Sequence, residues 1–184
     1  MRKLVSYTMV SLDGYHEGPN GELDWANVDA EYFEFANQQD ASIDTLLFGR
    51  AGYEHMAAFW SVTQDSDPGI TAFMNETPKV VVSQTLTEAR WRNSTLVNGD
   101  LGEMVRELKS RPGGEIALFG SVKLTTSLLE MGLVDELRVM VNPVLLGDGV
   151  SLFASLNRRM RLELCRTTTF RSGNVLLTYR PLED

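Results

Sequence analysis

TLLFGRAGYEH, residues 45–55, passes from an apolar run through a glycine and an arginine into a segment with helical spacing. Ile43 to Phe48 is short, apolar and closed by Gly49, as a strand buried on both faces would be. Beyond the glycine, Tyr53, Met56, Ala57 and Trp60 fall on one face of a helix. A strand that turns into a helix at one glycine is the beginning of a βαβ unit. The same order returns at Glu115 to Phe119, where Gly120-Ser121 opens a helix carrying Leu124, Leu128 and Met131.

The remaining chain extends this reading. Lys3 to Val10 is β-branched and aromatic-rich and predicts a buried first strand, followed by a loop from Ser11-Leu-Asp-Gly14 through Gly18-Pro-Asn-Gly21 to Trp25. Asn27 is the expected cap of a helix with Tyr32, Phe35 and Ala36 on its buried face, ending near Asp40. Ser61 to Thr77 is polar and broken by Pro68-Gly69, which predicts a surface excursion with a helical turn or two. Lys79 to Val82 is a third strand ending at Ser83, and Thr95 to Asn98 a fourth. Asp100-Leu-Gly-Glu103 has the spacing of a capping box before Leu101, Met104, Val105 and Leu108. After Gly132 come three long strands, Leu133 to Val141, Arg161 to Phe170 and Asn174 to Arg180, the last two joined as a hairpin through Arg171-Ser-Gly173. Alternating strands and helices followed by strands alone predict an α/β fold, its sheet parallel through most of its width with antiparallel C-terminal strands at one edge. A chain of 184 residues suits one domain spanning residues 1–184.

Composition narrows the function. With 17 Lys+Arg against 25 Asp+Glu, the net charge of -8 repels a phosphate backbone, so nucleic acid is not an expected partner. Cys165 is the only cysteine, which rules out an intrachain disulfide and a cysteine-rich metal site and suits a reducing cytoplasm. No apolar run reaches the roughly 18 residues of a membrane span, and Ser11, Asp13 and His16 interrupt the first strand's neighbourhood too early for a signal peptide. The expectation is a cytoplasmic protein with no membrane contact. His16 and His55 are far apart with no third ligand spaced between them, so no metal is expected.

The two strand-glycine-helix turns are the candidate site. Carboxyl ends of parallel strands line a crevice, into which helix N-termini point unpaired N–H groups. Gly49 and Gly120 would let a pyrophosphate approach the backbone, and Arg50 would add a forked cation. The other reading of the same residues is a pair of tight turns with Arg50 paired to Glu54. Ser83 is either a sugar-phosphate contact or a strand terminator. Asn142-Pro-Val-Leu-Leu-Gly-Asp-Gly149 is either a pocket wall or a turn that uses positive φ.

Six pieces in order carry a resemblance: Ser11-Leu-Asp-Gly14; Leu47-Phe-Gly-Arg50 with Tyr53-Glu54; Val80-Val-Val-Ser83; Leu118-Phe-Gly-Ser121 with Leu128; Gly132-Leu-Val-Asp-Glu-Leu137; and Pro143-Val-Leu-Leu-Gly147. Together they resemble the reductase domain of bacterial riboflavin biosynthesis, the C-terminal domain of the bifunctional deaminase-reductase, in a stand-alone form. That domain is a branch of the dihydrofolate-reductase-like fold. The resemblance implies three α-β-α layers and an NADPH-dependent reductase related to 5-amino-6-(5-phosphoribosylamino)uracil reductase, passing hydride to a carbonyl or imine carbon. It places Gly49, Arg50, Ala51 and Gly52 by the cofactor's phosphates, Ser83 near the adenosine 2′-phosphate, and Gly120, Ser121 and Val122 around the pyrophosphate. Trp25 and the Ser11 to Asp24 loop would cover the nicotinamide, and Asp13 would orient the substrate. A homodimer through the C-terminal strands is implied as well, with Val139, Val141, Val175 and Leu177 as its apolar positions.

The chain departs from the pattern at Gly52, where a hydroxyl residue is usual, and at Ser121, where a second glycine is usual. Five positions after Trp25, where a true dihydrofolate reductase carries an acid, stands Ala30, flanked by Asp29 and Glu31. Folate reduction is therefore the weaker alternative, beside a non-catalytic NADP(H)-binding module. No basic pair for a ribose phosphate is apparent.

Overall fold

The computed structural model describes residues 1–63 and 66–182. Its elements are β1 (Leu4–Ser11), β2 (Tyr15–Glu17), α1 (Ala30–Asp40), β3 (Ile43–Gly49), α2 (Arg50–Trp60), α3 (Pro68–Glu76), β4 (Lys79–Val82), β5 (Ser94–Val97), α4 (Leu101–Ser110), β6 (Glu115–Phe119), α5 (Val122–Glu130), β7 (Glu136–Asn142), β8 (Val150–Ser151), β9 (Leu162–Thr169) and β10 (Val175–Pro181). Eight strands form one sheet in the order β5-β4-β3-β6-β1-β7-β10-β9, and β2 pairs with β8 in a small second sheet.

Strand alternation divides the interior into two layers. Leu47, Ile116 and Leu118 turn to one face, against Val105 and Leu108 of α4 and Leu124 and Leu128 of α5. Leu46, Phe48 and Ala117 turn to the other, against Tyr53 of α2 and Ile70 and Met74 of α3, with Phe33 and Ala36 of α1 alongside. The result is an α-β-α sandwich with a mostly parallel mixed sheet. Leu46, Leu47 and Phe48 are all fully buried, which is why the stretch around them reads as continuous apolar sequence.

The C-terminal strands pair antiparallel as expected, β7 with β10 and β10 with β9, while β7, which begins at Glu136 rather than Leu133, also runs parallel to β1, with Val5 opposite Glu136 and Val10 opposite Val141. Helix α5 carries the chain over β1 before β7 begins, and strand direction leaves no trace in residue type. The cap of α1 is Asp29, whose Oδ1 accepts from the Tyr32 amide at 2.9 Å. Asn27 instead donates its amide to Asn142 Oδ1 at 2.8 Å and accepts at its carbonyl from Asn174 Nδ2 at 2.7 Å, tying the loop to the ends of β7 and β10.

The Ser61 to Thr77 segment, of which Gln64 and Asp65 lie outside the described residues, carries the nine-residue helix α3 with Ile70, Met74 and Asn75 buried. Asp67 caps it through the amides of Gly69 and Ile70, and Pro68 takes the first turn, where its missing N–H costs nothing. The carboxyl end of α3 is held by Lys79, whose ammonium donates to the carbonyls of Asn75, Thr77 and Arg92 and lies 4.5 Å from the Trp91 ring centroid. Tyr53 joins the same cluster by accepting the Trp91 amide at 2.8 Å.

Among the described residues, no helix is long and apolar enough to cross a membrane.

Candidate active site

Parallel pairing of β3 with β6 places Leu46 opposite Ala117 and Leu47 opposite Leu118, so the glycine turns that follow emerge side by side. A Cβ built on Gly49 would stand 3.5 Å from Ser121 Oγ, and one on Gly52 would stand 3.8 Å from both Ser121 Cβ and Phe119 O. The turns leave a cradle where side chains would otherwise be, and Gly120 holds its bend at φ +59°. Ala51 and Val122 belong to the first turns of α2 and α5.

Helix caps set this end of the molecule apart. Asp29, Asp67 and Asp100 each accept backbone amides at the starts of α1, α3 and α4. At α2 and α5 the cap residues are Gly49 and Ser121, and neither makes a side-chain cap hydrogen bond. The two uncapped helices are the two whose N-termini meet. Unpaired amides and the positive ends of two helix dipoles converge there, an arrangement suited to an anion.

Arg50 lies at the rim. Its Nε donates to Glu54 Oε1 at 3.0 Å and its Nη1 to Thr85 Oγ1 at 2.9 Å. The pairing with Glu54 expected of a plain turn is therefore present, but the side chain is half exposed and the guanidinium also reaches across to the loop after β4. An exposed pair four residues apart on a helix contributes only about 0.5 kcal/mol, so Arg50 exchanges this partner at little cost. Ser83, at the end of β4, is buried and accepts the amides of Thr85 and Leu86 at 3.2 and 2.9 Å. Its oxygen shapes the loop that presents Thr85.

On the other side of the crevice, His16 is buried between β1 and the Gly120 turn. Its Nδ1 lies 3.1 Å from Met9 O and its Nε2 3.1 Å from Gly120 O, with Glu17 Oε1 3.7 Å from Nε2. The ring staples the second glycine turn to the central strand.

Asp13 bridges two loops. Its carboxylate accepts from the amides of Leu146 at 3.1 Å and Gly147 at 2.8 Å. The Ser11 hydroxyl first, and then these amides, hold the exposed carboxyl down at about 2 from an ordinary 3.8. Because the folded value is depressed, the bridge is intact above about 4 and is lost as pH falls through about 2. We expect the Gly147 amide resonance to titrate with that midpoint by NMR, and Asp13→Asn to abolish the titration. A flat response in the wild type would show that the bridge is not formed in solution. Trp25 donates its indole N–H to Glu22 O at 2.9 Å and is partly buried.

A cavity of about 120 Å³ opens between α1, α2, α3 and the sheet. Phe119 and Met56 form one end of it, and Met56 Cε lies 3.7 Å from where a Gly120 Cβ would stand, so the cavity adjoins the glycine turns. Neither Asp13 nor Trp25 lines it. The structure thus brings Gly49, Arg50, Gly52, Gly120 and Ser121 together, sets Ser83 behind the rim, and leaves Asp13 and Trp25 in the loops above. Thr85 escaped the sequence reading, His16 was weighed there only as a metal ligand, and Tyr7, Tyr32 and Phe119 were not seen as one wall. Tyr7 and Phe119 were counted as strand residues, and their shared orientation toward one cavity depends on the β1–β6 pairing.

The layered sheet and the crevice at its strand ends define the dihydrofolate-reductase-like class. Enterococcus faecalis dihydrofolate reductase, in complex with NADP(H), superimposes with a TM-score of 0.66 at 14% identity, over 98% of this chain and 97% of that one. The chain belongs to the RibD C-terminal domain family, which it matches over residues 2–176. It is 35% identical to the uncharacterized protein YyaP of Bacillus subtilis (strain 168) over 182 residues, 97% of this chain and 94% of the relative. The diaminohydroxyphosphoribosylaminopyrimidine deaminase/5-amino-6-(5-phosphoribosylamino)uracil reductase of Thermotoga maritima has the same fold, with a TM-score of 0.71 at 13% identity over 98% of this chain and 57% of the larger enzyme.

Proposed function

We propose that this protein is an NADPH-dependent reductase that delivers hydride to a carbonyl or imine carbon of a small substrate held in the cavity beside Phe119. The observation that carries the reading is the meeting of the two uncapped helix N-termini at Gly49 and Ser121. A dinucleotide's pyrophosphate is an anion of the kind that such a cradle suits. Membership of a reductase-domain family and the fold shared with an NADP(H)-bound dihydrofolate reductase favour the same conclusion.

In this reading the Gly49 and Gly120 turns bind the pyrophosphate through backbone amides. Arg50 and Thr85 hold the adenosine 2′-phosphate, Arg50 exchanging Glu54 for the stronger anion. When bound, the reduced nicotinamide supplies the hydride. His16 fixes the turn that orients it, and Phe119 and Met56 form the end of the cavity where the carbon is reduced. The carboxylate of Asp13 is already engaged by two amides, so its role is to position the Pro143 to Gly149 segment over the site.

NADPH at about 100 times its dissociation constant should stabilise the wild type by roughly 2.7 kcal/mol, a rise in Tm of about 5–10 °C. NADH should do less. Arg50→Ala should erase the difference between the two, because a guanidinium gains more from a phosphate than from the hydroxyl it replaces. Differential scanning fluorimetry reads both, and no shift with either nucleotide would sink the proposal.

We also propose a homodimer in the cytoplasm. Val139 and Leu177 are paired across β7 and β10, as are Val141 and Val175, and all four are only partly buried. Beside them β9 is exposed along most of its length, an open edge that a second copy would cover. Val175→Glu with Leu177→Glu should convert the dimer to monomer by light scattering; a monomeric wild type would refute this.

A further inference from the structure

The cavity beneath α1 bears on the substrate, given the reductase reading above. Its wall is largely apolar, and six of its side chains are aromatic. Phe119 lies 5.8 Å from Tyr7 and 6.4 Å from Phe73, centroid to centroid, and Phe35 and Trp60 close the sides. Cavities of about 150 Å³ with such linings stay dry and accept benzene. At about 120 Å³, this one holds a single six-membered ring.

Charge is as informative as size. Among the described residues, no lysine and no carboxylate lines the cavity. Arg138 is the one charged residue at its wall, and its guanidinium is already bound by Glu136 at 2.6 Å and Glu115 at 3.2 Å. A phosphate entering here would meet no uncommitted cation. A protonated heterocycle would meet no carboxylate. Either charge would be desolvated without compensation, whereas an uncharged ring gains by leaving water.

We propose that the cavity takes an uncharged carbonyl compound built on one six-membered ring, rather than a phosphorylated sugar derivative. Hydride from C4 of the dihydronicotinamide adds to the carbonyl carbon. The C=O π pair moves onto oxygen, which takes a proton from solvent. The carbonyl is reduced to an alcohol, and the dihydronicotinamide is oxidised to the nicotinamide cation.

The test separates this assignment from the cofactor reading by measuring binding first without nucleotide. The full chain is titrated with cyclohexanone, benzaldehyde and ribose 5-phosphate by calorimetry, and Tm is measured with NADPH alone. Saturable binding of the two ring compounds and none of ribose 5-phosphate is expected. Ala36→Leu, which fills the cavity from α1, should raise the dissociation constants about tenfold while leaving the NADPH shift in Tm intact. Ala36→Val serves if the leucine variant does not fold. Adding NADPH to the wild type with either ring compound should then yield the alcohol. Preferred binding of ribose 5-phosphate, ring binding indifferent to both substitutions, or no ring binding in a protein that NADPH stabilises would each overturn the assignment. Ring binding that Ala36→Leu weakens, in a protein that NADPH fails to stabilise, would uphold the cavity and reject the cofactor reading.

Discussion

Lys79→Met should melt roughly 10 °C below the wild type at neutral pH, a loss of about 3 kcal/mol. The side chain is 1% exposed, yet its charge is met by three carbonyl oxygens and an indole face. Methionine fills similar volume but leaves the Thr77 and Arg92 carbonyls without that donor at the carboxyl end of α3, where a cation is favoured. Burial first, and then the nearby Arg92, lower the Lys79 pKa from 10.5 to about 8. The sign of the pH dependence follows. Between about 8 and 10.5 the unfolded chain holds a proton on this amine that the folded protein has begun to release, so wild-type stability rises with pH across that window. The variant lacks this contribution, and the gap between the two should widen from pH 8 to pH 10. Denaturant midpoints at several pH values measure it; a gap that narrows would show that the charged amine is favoured by its carbonyls more than burial opposes it.

Lys79 also illustrates what the chain conceals. As the first residue of Lys79-Val-Val-Val82 it reads as a strand boundary, and nothing local announces that its ammonium caps a helix. The strands themselves were legible because Leu46 to Phe48 and Ile116 to Leu118 are buried from both sides, which forces a continuous apolar run. Pro68-Gly69 reads as a break, although Asp67-Pro68 just before it is a competent helix start. The choice is made by Ile70 and Met74 finding a core to enter, a tertiary fact. The short strands β2 and β8 have three and two residues, too few for any periodicity.

The site divides in the same way. Gly49 and Gly120 were legible as turns because a glycine between an apolar run and a helical pattern marks the passage from strand to helix. That the two turns touch follows from β6 lying beside β3, a neighbour relation between segments almost 70 residues apart. Arg50 was read both as a phosphate contact and as a partner of Glu54, and the structure shows why both readings arise: a weak pair holds the guanidinium at the rim of the cradle. The cavity was not legible, since its wall is drawn from α1, α2, α3 and four strands, and nearly all of its side chains are apolar ones that look like ordinary core.

Ser121→Asp should move folding and nucleotide binding in opposite directions. Ser121 holds an extended backbone at the start of α5 without a side-chain cap bond, so a carboxylate placed there can accept an amide of the first turn and face the positive end of the helix dipole. In the nucleotide-free protein this should add roughly 0.5–1 kcal/mol and raise Tm by about 2–3 °C. The same carboxylate would project toward Gly49, 3.5 Å from where its Cβ would stand in the present position of Ser121 Oγ, and would occupy the amides on which the pyrophosphate reading depends. A fixed negative charge against a diphosphate should weaken NADPH binding by about 100-fold or more, equivalent to about 2.7 kcal/mol. Fluorimetry of the variant with and without NADPH reads both effects in one experiment. A higher Tm alone together with loss of the NADPH shift is what two deliberately uncapped helices predict. A higher Tm with an unchanged NADPH shift would place the pyrophosphate elsewhere, and the open helix starts would then be a feature of the turns rather than of the ligand.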